Sequence, residues 1–128
     1  MSNKMRRVGY ALSTVVVLFL LFDSVMKLLA LPIVLETLTQ LGYAASPGLA
    51  QALGVILLFF TMLYVYPSTS ILGAVLLTAF LGGAVATHVR VDSPLLTHTL
   101  FGLYLGVFIW SGLLLRDERL RALLPWRR

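Results

Sequence analysis

The sequence predicts an all-α protein, a transmembrane four-helix bundle with a short amphipathic interfacial helix between helices 1 and 2. Of its 128 residues, 59% are hydrophobic and only 12% are charged, too few charges to cover a soluble domain. Four apolar runs each approach the roughly 20 residues that a helix needs to cross a bilayer. Backbone groups in lipid must pair within their own segment, and no alternating strands are present, so helices are expected. The predicted spans are residues 8–31, 48–66, 69–89 and 94–115, within a single domain, 1–128.

The distribution of positive charge predicts the orientation. Eight of the ten Lys and Arg residues lie in the two tails, before the first run and after the last. Four spans put both tails on one side, and the positive-inside rule makes that side the cytoplasm. The net charge of +5 therefore indicates contact with anionic lipid in the bilayer and argues against nucleic acid as a partner.

Helix 1 is expected to be a retained span that ends at Pro32, because proline cannot continue a helix. Its run of more than twenty apolar residues exceeds the 7–15 residues typical of a signal-peptide core. The chain has no cysteine, which excludes disulfides, thiol redox chemistry and thiolate metal sites within it.

The alternation of apolar and polar sides over residues 33–41 predicts the amphipathic interfacial helix. This helix would lie as a lid over the outer end of the bundle. Gly42 is expected to follow its C-terminus, and Ser46-Pro47 to cap the start of helix 2. Its apolar side carries Val34, Leu38 and Leu41, and its polar side carries Glu36, Thr37 and Gln40.

Two rows of small residues predict close helix packing, because small side chains let backbones approach in lipid. Packing within the bundle is the preferred interpretation, and a homo-oligomer through Gly102 and Gly106 or through the helix 3 row is the alternative. A tight cytoplasmic hairpin around Pro67 should join helices 2 and 3, and a short outer loop should join helices 3 and 4 before Ser93-Pro94. The helix 3 row is Ser70, Ala74, Thr78, Gly82 and Ala86.

Four ionisable residues, Asp23, Lys27, His88 and His98, are predicted to converge on the outer third of the membrane, beneath the amphipathic helix that carries Glu36, and to bind a ligand. An ionisable side chain at mid-membrane costs about 2.5–3.5 kcal/mol, so such residues are usually functional. The predicted site is an outward-facing pocket in which Asp23 and His98 bind, or exchange a proton with, an amphiphilic ligand. The alternative is an interface anchor, in which Asp23 pairs with Lys27 four residues away and Lys27 extends to the headgroups. The predicted site residues are Asp23, Lys27, Glu36, His88 and His98.

Other chemistries find little support in the sequence. Two histidines on adjacent helices would allow bis-imidazole haem ligation, but His88 lies near the surface, so haem is disfavoured. No short ligand spacing supports a metal site, and none is predicted. Nucleophile motifs and phosphate-binding glycine loops are absent, so an enzymatic activity is left open and no catalytic residue is named.

Three segments carry a resemblance to a known family. They are Phe-Asp-Ser-Val-Met-Lys-Leu at 22–28, Val-Leu-Glu-Thr-Leu-Thr-Gln-Leu-Gly-Tyr at 34–43 and Gly-Gly-Ala-Val-Ala-Thr-His-Val-Arg at 82–90. In this order they resemble the DoxX-like family of small bacterial membrane proteins. The resemblance implies a four-helix transmembrane bundle in the bacterial cytoplasmic (inner) membrane. It also implies links to quinone-coupled thiosulfate oxidation and to membrane assemblies with detoxifying oxidoreductases, while distant animal relatives act as assembly chaperones.

Two functions from different classes follow. The leading hypothesis is an accessory subunit that binds a quinone or similar lipid-like molecule for a redox partner. The alternative is a non-catalytic membrane scaffold or assembly chaperone whose small-residue faces bind other membrane proteins. A transporter or channel component is disfavoured, because no broken span and no polar stripe across the membrane is visible.

Overall fold

The computed structural model describes residues 3–44, 46–91 and 100–124, and these residues form helices and turns without a strand. Helix α2 is short, a 3₁₀ turn at Pro67–Thr69 links α3 to α4, and a single turn, α6, follows α5. The predicted all-α membrane helical bundle is confirmed. The helices are α1 (Asn3–Leu28), α2 (Pro32–Gln40), α3 (Pro47–Val65), α4 (Ser70–Arg90), α5 (Phe101–Arg116) and α6 (Glu118–Arg121).

Three of the helical segments are long and apolar enough to cross a membrane: Asn3–Leu28, Pro47–Val65 and Pro67–Arg90. Helix α5 is also apolar, with 16 residues in its described part. Large apolar side chains such as Leu18 and Phe22 are exposed on the outside of the bundle. Lipid is the surrounding that tolerates so much exposed apolar surface, since soluble monomers rarely expose large contiguous apolar patches.

The four apolar helices close a ring in which α1 and α4 each pack against both α3 and α5. The core between them contains Leu20, Leu57, Leu77, Ile109 and Leu113, all almost fully buried. One end of the ring, called here the basic end, holds the start of α1 and the end of α5. The opposite end, called the α2 end, holds the end of α1, the start of α3 and the helix α2, which packs on α3.

Glycines lie where neighbouring helices approach most closely. A Cβ on Gly54 of α3 would lie 2.9 Å from the backbone nitrogen of Leu28 of α1. A Cβ on Gly102 of α5 would lie 3.0 Å from the carbonyl oxygen of Leu81 of α4. Such contacts hold helices together where lipid tails give little hydrophobic drive for association.

Several predicted boundaries are confirmed and one is wrong. Gly42 has a φ of +90° just beyond α2, and the hydroxyl of Ser46 accepts a hydrogen bond from the Leu49 amide at 3.4 Å. Helix α1 does not reach Pro32, because it ends at Leu28 and Ala30 adopts a left-handed φ of 49°. Pro32 is instead the first residue of α2, where its missing N–H costs nothing. The loop prediction at Ser93-Pro94 lies outside the described residues.

The predicted row of small residues on α4 packs within the bundle at only one end. Ser70 and Ala74 are buried, whereas Gly82 and Ala86 are exposed. Steps of four residues turn a helix by about 40° each, so the two ends of a five-residue row face different directions. On α5, Gly102 packs against α4, but a Cβ on Gly106 would meet no heavy atom within 4 Å.

Candidate ligand-binding site

A cavity of about 620 Å³ lies at the α2 end, among the ends of α1, α3, α4 and α5 and beneath α2. It extends inward to Ala79, near the middle of α4. Most of its wall is apolar, with Phe19, Met26, Leu53 and Leu105 on three different helices. We call it the α2-end cavity.

An ion pair lies on the α1 side of this cavity. Lys27 donates from Nζ to Oδ2 of Asp23 at 2.6 Å, across one helical turn. The side chains remain 19% and 31% exposed respectively, and both line the cavity. The pairing keeps either charge from lying alone in an apolar wall, where an unpaired charge is costly. Lys27 has three N–H donors, so its bond to Asp23 leaves donors for a further acceptor.

Three further polar side chains from α2 and α4 line the cavity. His88, in the last turn of α4, is half-buried on its wall. The Thr37 hydroxyl donates to the carbonyl of Ile33, and the Thr87 hydroxyl to that of Gly83. Because each hydroxyl hydrogen is used within its own helix, each oxygen offers lone pairs as acceptors. The cavity thus combines an extensive apolar wall with a few polar groups.

Helix α2 is tied to the end of α4 across the cavity. A terminal nitrogen of Arg90, Nη2, donates to the carbonyl of Leu41 at 3.0 Å. The Tyr43 amide bonds back to the carbonyl of Leu38, which completes the turn at Gly42. Leu38 is buried beneath α2, and the predicted apolar side of this helix covers the cavity together with Thr37 from its predicted polar side.

The structure brings together three of the five predicted site residues. Asp23, Lys27 and His88 line one cavity, although they come from two helices more than sixty residues apart in the chain. Glu36 is exposed on α2 and is not part of the cavity wall. His98 lies outside the described residues. Within the described ranges, no group of three or more His, Asp or Glu side chains could hold a metal ion.

Comparison with known proteins identifies the family. The model of the DoxX-like family matches residues 11–112, about four-fifths of the chain. The chain belongs to the DoxX-like family. The matched segment runs from α1 to the last third of α5 and includes every residue of the α2-end cavity. No curated protein and no solved structure matched this DoxX-like protein.

The DoxX-like protein also has a buried polar network at its basic end, which the sequence did not predict. The phenol of Tyr64 on α3 donates to the carbonyl of Ile109 at 2.7 Å and lies 2.9 Å from the hydroxyl of Ser13 on α1. Arg116 of α5 donates from Nε to the same Ser13 hydroxyl at 3.1 Å. Its guanidinium carbon lies 5.5 Å from the ring centre of Tyr10 and 5.3 Å from that of Tyr64.

A weak sequence signal pointed to this network. Gly9, Ser13 and Val16 lie on one face of α1, which is the face buried in the bundle. In the sequence, Gly9 and Ser13 are visible only as small residues within an apolar run. Nothing in the sequence indicates that Tyr64 and Arg116 reach this face from other helices. The sequence places Arg116 only in the basic tail, because residue order alone does not show what its side chain contacts.

Proposed function

We propose that this DoxX-like protein is an accessory membrane subunit that binds a quinone or similar lipid-like molecule in the α2-end cavity for a redox partner. The observation that supports this most strongly is the combination in one 620 Å³ cavity of an apolar wall with the Asp23–Lys27 pair and His88. Small-molecule sites typically occupy about 300–1,000 Å³ and carry few polar groups on mostly apolar walls.

The chemistry of the wall suits an amphiphile with a carbonyl-bearing ring. Quinone carbonyls are acceptors, and the ammonium of Lys27 keeps donors beyond its bond to Asp23. Phe19 and Phe101 form an edge-to-face pair on the wall, with ring centres 5.1 Å apart, which gives an aromatic contact surface for the ring. The apolar remainder of the wall would accept an aliphatic tail.

An accessory role fits the sequence better than independent catalysis. The chain has no cysteine for thiol redox chemistry and no recognisable nucleophile motif, so electrons exchanged with a bound quinone would pass to or from a partner protein. The proposed site comprises Asp23, Lys27 and His88. Glu36 is left out because its side chain is exposed away from the cavity, and a role for His98 remains a prediction from the sequence alone.

The proposal is tested by native mass spectrometry of mildly solubilised protein, comparing wild type with Asp23→Asn. The amide keeps the shape of Asp23 but removes the charge that positions Lys27, so we expect bound quinone-sized mass to fall about tenfold. Glu36→Gln is the matched control, because it makes the same acid-to-amide change outside the cavity. It should retain ligand as wild type does.

Two outcomes would count against the proposal. Equal ligand retention in Asp23→Asn and wild type would remove Asp23 from the binding mechanism. A wild-type chain that carries only phospholipid and other protein subunits would favour the scaffold or assembly chaperone instead. One observation supports that second candidate, because Cβ atoms at Gly82 and Gly106 would meet nothing within 4 Å, so these positions could accept a neighbouring helix.

A further inference from the structure

A second concave site lies at the basic end, opposite the α2-end cavity. It is an open groove of about 390 Å³ between the start of α1, the α3–α4 turn and the end of α5. Arg6, Arg116 and Arg119 line it together with Asp117 and Glu118, so its formal charge is positive. We call it the basic-end groove.

Arg116 is held in a fixed orientation on the wall of this groove. Its Nε donates to Ser13, and its guanidinium group lies near the rings of Tyr10 and Tyr64. These contacts leave its two terminal nitrogens without a hydrogen bond to any described residue. A half-buried guanidinium group fixed by three neighbours is preorganised to bind an anion, because little side-chain freedom is lost on binding.

The two carboxylates of the groove interact with groups other than Arg116. Asp117 accepts from the amides of Arg119 and Leu120 at the start of α6, and it also lies 3.8 Å from Nε of Arg119. Glu118 lies 4.0 Å from Nη2 of Arg121. No carboxylate within the described residues pairs with Arg116, so the groove presents an uncompensated guanidinium group.

We propose that the basic-end groove binds the phosphate of an anionic phospholipid, with Arg116 and Arg6 as its cationic partners. Arginine recognises phosphate through its planar fork of donors. The groove lies at the end of apolar helices. Exposed apolar residues such as Val8 and Tyr66 are close in sequence to residues that line it. Tyr10 is half-exposed on its wall, as expected of a tyrosine at headgroup level. A membrane lipid is therefore better placed to occupy the groove than a soluble anion.

This proposal is independent of the quinone proposal, because the groove and the α2-end cavity share no residue. It is tested on the full chain in nonionic detergent, titrated with dioleoyl phosphatidylglycerol and followed by native mass spectrometry. Arg6→Gln removes one cationic partner at an exposed position and should weaken phosphatidylglycerol binding about fivefold. Arg7→Gln is the matched control, because it removes the same charge at the next residue, which is exposed outside the groove.

Arg116→Lys adds a second variant that keeps the charge but loses the planar fork, and it should weaken binding at least as much as Arg6→Gln. Equal losses in Arg6→Gln and Arg7→Gln would overturn the proposal in favour of diffuse attraction to the basic tails. Equal binding of phosphatidylcholine with the same acyl chains would overturn it as well, since the site would not select an anionic lipid. Displacement of phosphatidylglycerol by inorganic phosphate at matched ionic strength would show that the groove takes a soluble anion instead.

Discussion

At the scale of single residues, Tyr64 is a central member of the buried polar network at the basic end. Its side chain is 0% exposed, yet its hydroxyl bonds both Ser13 and the carbonyl of Ile109, so one phenol connects three helices. The carbonyl of Tyr64 also accepts from the hydroxyl of Ser70 at 2.8 Å, which fixes the α3–α4 turn. A buried hydroxyl of this kind is costly unless it is paired, and here both of its bonding directions are used.

We expect Tyr64→Phe to lower the free energy of unfolding by about 1 kcal/mol, because it removes two buried hydrogen bonds and leaves Ser13 with only Arg116 as a partner. The midpoint of thermal unfolding in detergent would measure the loss. Tyr66→Phe is the control, since Tyr66 is 63% exposed and its hydroxyl has no partner among the described residues. Equal midpoints for the two variants would show that the network contributes no net stability.

At the scale of secondary-structure elements, the close contact between α1 and α5 depends on glycine at the positions where the two helices meet. A Cβ on Gly112 would overlap the hydroxyl of Ser13 and lie 3.0 Å from the carbonyl oxygen of Gly9. The two backbones can therefore approach closely only while residue 112 is glycine. Gly106, less than two turns earlier on the same helix, faces open space. The two glycines form a natural pair for comparison.

Gly112→Ala should destabilise the protein by about 1–3 kcal/mol, because the new methyl group would push Ser13 out of its bonds to Tyr64 and Arg116. Gly106→Ala should be neutral or stabilising by up to about 1 kcal/mol, because alanine favours the helix and meets no neighbour. Unfolding of both variants in detergent, followed by circular dichroism, would test the difference. A loss at Gly106 that equals the loss at Gly112 would contradict this account of α1–α5 packing.

At the scale of the whole molecule, the ring of helices separates two polar regions. The α2-end cavity holds the Asp23–Lys27 pair, and the basic-end groove holds Arg116. Between them the buried core is mostly apolar, as the packing of Leu20 and Leu57 shows. A ligand at one end and a lipid phosphate at the other would therefore act at opposite faces of the membrane.

The absence of cysteine allows a clean test of this orientation. Ser68→Cys in the α3–α4 turn and Tyr43→Cys beside α2 place single thiols at exposed positions on opposite ends. A membrane-impermeant maleimide added to intact bacterial cells should label Tyr43→Cys and spare Ser68→Cys, because the positive-inside rule predicts that the basic end is cytoplasmic. The reverse pattern would invert the predicted orientation, and permeabilised cells provide the labelling control.

Much of the fold follows from local patterns. The length of the apolar runs predicts the membrane helices. Gly42 predicts the end of α2 and Ser46-Pro47 the start of α3, because capping signals act within a few residues. The predicted end of α1 is wrong, because a proline shows where a helix cannot continue but not that the helix ends before it. The grouping of Asp23 and Lys27 was predictable from their spacing of four.

The sequence by itself determined that this chain is a membrane helical bundle of the DoxX-like family with polar residues near one end of its spans. Tertiary structure alone decided which of those residues share a cavity. It placed His88 on the wall of the cavity that Asp23 also lines, left Glu36 exposed outside that wall, and brought Tyr64 and Arg116 to Ser13. The physical reason for this division is that hydropathy and capping residues determine the structure of one segment at a time. Contacts between segments depend on helix rotation and on glycine-permitted close approach, which emerge only when all four helices pack together.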